Sequence, residues 1–117
     1  MTPTARLIAN ALLDHHRTFC EPHTPRPPII KDCVITYGSL CRAARTPGLE
    51  KGIGQFLQEV AAWCAEHGYE PLNALAVNAE SGHPGDSYDL APGCSTLNWE
   101  DEVKAAIVYR GYPEAVE

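Results

Sequence analysis

Apolar residues recur at helical spacing in several stretches of the chain and set out most of its elements. Leu7, Ile8, Ala11, Leu12 and His15 share one face of a predicted first helix. Thr2 stands as its N-cap, Pro3 occupies its first position, and the helix is expected to end near Phe19. Tyr37, Leu40, Cys41 and Ala44 form a second face that Thr36 can cap. Ile53, Phe56, Leu57, Val60, Ala61 and Cys64 make a longer stripe. It closes at His67-Gly68, with glycine as C-cap and histidine near the negative end of the helix dipole. Val103, Ala106, Ile107 and Arg110 follow the period of a last helix, with Asn98 as its cap and Asp101 in a capping-box-like position.

Between these helices the pattern changes. Glu21 to Pro28 holds four prolines, which remove donors and fix φ, so an extended connector is expected. Ile29, Ile30, Val34 and Ile35 predict a short buried extended piece, and Pro71 to Asn78 a buried strand. Thr46-Pro47-Gly48 is a turn signal, so the second and third helices read as helix-turn-helix. A loop rich in Gly, Ser, Pro and Asp runs from Glu80 to Gly93. The expected fold class is mainly α with a small β component, winged-helix-like, with extra N-terminal and C-terminal helices. One domain over 1–117 would comprise an N-terminal helix (1–19), a Pro-rich connector (20–32), a core (33–93), and a C-terminal helix and tail (94–117).

Charge sharpens this picture. The net charge of −6 counts against nonspecific nucleic-acid binding. The distribution softens that, because residues 1–51 hold seven of the nine Lys and Arg but only four of the fifteen acids. The second half is strongly acidic, so one face of the chain is still able to meet a polyanion. No apolar run approaches the roughly 20 residues that cross a bilayer, and no membrane association is expected. The first residues lack the apolar block and cleavage site of a secretory signal, so the expected location is cytoplasmic. Five scattered cysteines form no Cys-x-x-Cys pair and argue against a disulfide framework.

The order of motifs resembles a known family. Ile35-Thr36-Tyr37-Gly38-Ser39-Leu40, then Lys51-Gly52-Ile53-Gly54-Gln55-Phe56-Leu57, then Pro71 to Asn78 and the Gly-rich loop look like the winged-helix domain of alkylguanine-DNA alkyltransferases and alkyltransferase-like proteins. The resemblance covers roughly half the chain, from about Cys33 to about Tyr88. It implies that Tyr37 matches the family's DNA-facing tyrosine. Lys51 stands where the family places an arginine finger, and lysine lacks the planar guanidinium that stacks in a gap left by an extruded base. Transferases carry Pro-Cys-His-Arg at the strand, whereas this chain has Leu72-Asn73-Ala74-Leu75. With no thiol or base there, the resemblance implies binding without alkyl transfer, and without a catalytic residue or cofactor.

Two functions from different classes follow. The first is a noncatalytic module that binds duplex DNA through Tyr37, Ser39, Arg42, Arg45, Lys51 and Gln55. The alternative is an acidic protein-interaction module, such as a phage or mobile-element regulator or inhibitor, whose acidic half steers a basic protein partner. Asn73, Asn78 and Tyr88 are candidates to line a pocket, against the plainer reading of local backbone bonding. Trp63, Trp99 and Tyr69 are candidates for the same role or for core. His16, Cys20 and His23 form a weak zinc candidate, since their spacing fits no established ligand motif; no metal is expected. His83 to Ser87 holds Asp, Ser and His in one loop, which is a turn signal rather than a triad.

Overall fold

A computed structural model describes residues 1–23 and 29–116, His23 by its backbone alone. The chain begins with α1 (Pro3–His15), whose N-cap Thr2 accepts from the Ala5 amide at 3.2 Å. The helix does not stop at His15. It widens into a single π-type turn, His16–Cys20, and then a 3-10 turn, Glu21–His23. The first part of the predicted connector is therefore helical, because Pro22 sits early in a short turn where its missing N–H costs no bond. Residues 24–28 of that connector lie outside the described residues.

The predicted extended piece over 29–35 is mostly a helical turn, α2 (Ile30–Cys33), followed by β1 (Ile35–Thr36). Ile29 is exposed rather than buried. α3 (Tyr37–Ala43) starts at Thr36, whose hydroxyl accepts from the Ser39 amide at 3.2 Å. A turn and a 3-10 segment (Glu50–Gly52) lead into α4 (Ile53–His67). Both helices end the same way. Tyr69 N–H bonds to Cys64 O and Thr46 N–H to Cys41 O, each across a residue in the left-handed region. After α4 that residue is Gly68 (φ 71°), but after α3 it is Arg45 (φ 60°).

The predicted strand over 71–78 is only partly a strand. Leu72–Leu75 is a 3-10 turn, and β2 is confined to Ala76–Val77. β2 pairs in parallel with β1, Ile35 opposite Ala76 and Thr36 opposite Val77. A parallel pair needs a long crossover, and here α3 and α4 both lie in it. The chain ends with α5 (Trp99–Val108). Asn98 occupies its N-cap position, but no side-chain bond caps the helix. Asp89 takes up the neighbouring Thr96 amide and hydroxyl instead.

The core forms where these elements meet. Ile8 and Leu12 of α1, Leu40 of α3, Val60 of α4, Leu72 and Leu75 of the 3-10 turn, and Val103 and Ile107 of α5 are all buried in one cluster. Leu7, placed on the apolar face of α1 by its spacing, is half exposed instead. The fold is thus mainly helical with a short two-stranded sheet, and no helix among the described residues is long and apolar enough to cross a membrane. Two buried donors fix its ends: Trp99 Nε1 donates to Ala74 O at 2.9 Å, and His16 Nε2 reaches Ala106 O at 2.9 Å and Ile107 O at 3.2 Å. A carbonyl can only accept, so Nε2 carries the hydrogen and His16 caps the C-terminus of α5.

Candidate functional site

The starts of α3 and α4 and the loop after β2 converge on one cleft of about 520 Å³. Tyr37 and Lys51, both predicted contact residues, line it, and so does Asn78. The Tyr37 hydroxyl accepts from the Gly85 amide at 2.7 Å, which ties the loop to the first turn of α3. That bond uses a lone pair of the oxygen and leaves its proton free to donate. Asn78 Oδ1 accepts from the Glu80 amide at 2.8 Å, an Asx turn that shapes the cleft's far wall.

Ser39, Arg42, Arg45 and Gln55, the other predicted contact residues, are not among the residues that line this cleft. Ser39 accepts from Arg42 Nη2 at 3.0 Å, and this i,i+3 bond holds the guanidinium along α3. Arg42, Arg45, Lys51 and Gln55 are all exposed. Among the described residues, none of the three cations lies within salt-bridge distance of a carboxylate. Glu50 and Glu80 line the cleft together with Lys51, so it carries charges of both signs.

Asn73 and Tyr88 are brought together elsewhere. They line a smaller pocket that adjoins the cleft, and Tyr37, Gly54 and Ser87 form part of both. Tyr88 donates to Glu102 Oε1 at 2.6 Å, and burial pushes its phenol well above the ordinary range. Trp99 is buried, whereas Trp63 and Tyr69 pack against one another with ring centroids 5.2 Å apart. The motifs that hold Gly54 and Ser87 gave no sign that the two residues meet. Their role rests on the Ser87 side chain lying close against the Gly54 backbone, which only the fold reveals.

Of the weak zinc candidate only His16 and Cys20 have described side chains. His16 spends Nε2 on α5, and Cys20 directs its thiol to Cys33 O at 3.6 Å. No group of three His, Cys, Asp or Glu side chains comes together among the described residues to hold a metal, and the His23 side chain lies outside them. Burial raises every thiol: Cys20 to about 12, Cys64 to about 11, and Cys33, Cys41 and Cys94 in the same direction. Such thiols stay protonated near neutrality, the opposite of an activated nucleophile. His83, Asp86 and Ser87 remain in one loop, and the His83 ring packs edge-on against Trp99 at 5.0 Å rather than meeting the serine.

No family model, curated protein or solved structure matches this chain.

Proposed function

We propose that this chain is a noncatalytic DNA-binding module of winged-helix type, reading duplex DNA with the rim of the α3–α4 turn. The observation that carries the reading is the set of three exposed cations, Arg42, Arg45 and Lys51, with no carboxylate partner among the described residues. Unpaired cations at the end of α3 and just before α4 suit phosphate oxygens. The Tyr37 hydroxyl and Ser39 add neutral donors from the first turn of α3, and Gln55, exposed on the first turn of α4, supplies an amide for a base edge.

The test is binding to duplexes, plain and bearing O6-alkylguanine, across a salt series. Three phosphate contacts give a slope of log K against log salt of about −2.7. Replacing Arg42 or Lys51 by alanine should each reduce that slope by about one. An intact fold that binds neither duplex at low salt would falsify the reading.

A second reading is favoured by a different surface. Leu97 is 95% exposed and Leu90 72% exposed, next in sequence or space to Asp89, Glu100 and Asp101. Apolar side chains rimmed by acids suit a basic protein partner. Copurification of such a partner, lost when Glu100 and Asp101 become lysines, supports this reading. Binding indifferent to that reversal removes its electrostatic basis.

A further inference from the structure

A polar atom without a partner sits in the core beneath the cleft. Asn73 is 2% exposed, its Nδ2 donates to Cys94 Sγ at 3.5 Å, and its Oδ1 meets no hydrogen-bond partner among the described residues. Turning the amide over does not help. Cys94 offers one weak bond to whichever end faces it, and the other end is left over. Buried amide groups in folded proteins are nearly always satisfied, by protein or by ordered water.

The space beside this side chain has the size for the second solution. Asn73 lines the smaller pocket between α4 and the turn Asp86–Leu90. The centre of a water-sized sphere can sweep about 10 Å³ there. That is room for about one water and nothing larger. The walls mix apolar groups, Leu57 and Ala76, with the polar side chains of Gln58 and Ser87. A bound molecule therefore meets more than one polar group, as a buried water requires. No carboxylate lines the pocket, which disfavours a cation of similar size.

We infer that this pocket is a binding site for a single water molecule, held by the Asn73 carboxamide and closed on the cleft side by the contact of Gly54 with Ser87. The inference stands apart from the DNA-binding reading. It also limits that reading, because a nucleobase has no room in the pocket while Gly54 and Ser87 touch.

A high-resolution crystal structure of the full chain tests the site directly. Density for one water is expected about 2.7–3.2 Å from the Asn73 carboxamide. In solution, NOEs from water to the Leu57 and Ala76 methyls should appear in the native chain and vanish in Asn73→Leu. That variant keeps the side chain's bulk and deletes its polar atoms. An empty pocket in the crystal, no such NOEs in the native chain, or NOEs of equal strength in both proteins would overturn the inference. If Asn73→Leu does not fold, the crystal and the native NOEs decide the matter without it.

Discussion

Gly54 on α4 faces Ser87 so closely that a β-carbon on the glycine would stand 2.8 Å from the serine Cβ, and closer still to its hydroxyl. Real β-carbons do not approach this near, so Gly54→Ala must push the 86–90 turn away from α4. The expected loss is about 1–3 kcal/mol of stability, the usual range for overpacking. Urea unfolding measures it. Adding Ser87→Gly should recover most of the loss, and a double variant no better than Gly54→Ala would show that the strain lies elsewhere.

Tyr88 and Glu102 join the same turn to α5. Glu102 Oε1 accepts from both the Tyr88 hydroxyl at 2.6 Å and the Ser95 amide at 3.2 Å. Tyr88→Phe removes one donor from a carboxylate that is partly buried. A loss of about 1–2 kcal/mol is expected, since bonds to charged groups exceed the neutral average. If thermal unfolding of Tyr88→Phe matches the native chain, the bond contributes nothing.

His15 and His16 make stability depend on pH. Burial lowers the pKa of both below the ordinary 6.5, and each donates a ring N–H to a backbone carbonyl. A lowered histidine pKa means that the unfolded chain takes up a proton before the folded chain does. Stability is therefore fully present above pH 6.5 and declines as pH falls below it, until the folded state also protonates. Denaturant titrations between pH 8 and 5 should show this decline. His16→Gln keeps a donor for α5 without the titration, so its profile should be flatter. A profile parallel to the native one would exclude His16 as a source.

Arg45 adopts φ 60°, at the position where α4 uses glycine. A side chain in that region costs about 1–2 kcal/mol, partly offset because glycine loosens the unfolded chain. Arg45→Gly should therefore stabilise the fold by about 0.5–1 kcal/mol. On the DNA-binding reading the same variant lowers the salt slope by about one. Stability and binding moving in opposite directions would set Arg45 apart from Arg42, which has an ordinary helical place.

The parts legible in the sequence are those set by local chemistry. Thr2, Thr36 and Gly68 cap helices as their residue types require. The apolar stripe of α4 buries Ile53, Leu57, Val60, Ala61 and Cys64 as its spacing indicates. The parts misread are those decided by partners far away. Residues 72 to 77 are all buried, and continuous burial carries no period to tell a 3-10 turn from a strand. His16 drew notice only as part of a weak zinc candidate, yet it caps α5, ninety residues on. Asn73 looked able to bond nearby backbone, yet it meets Cys94 and the pocket. Tyr37 and Lys51, singled out by the resemblance, do line one cleft, whereas Glu50 and Glu80 join them there only in the folded chain.

The two-residue sheet has a consequence for how the molecule opens. β1 and β2 pair directly before α3 and well after α4, so their few hydrogen bonds close a loop that contains the entire proposed binding face. Neither helix has a free end inside that loop from which to fray. The face is thus expected to come apart only when the clasp does, and the amides of Ile35 to Thr36 and Ala76 to Val77 should exchange with solvent at the pace of global unfolding. A chain cut within the loop would keep its helices but lose that protection, so the time record of hydrogen exchange reports whether helix starts and sheet behave as one unit.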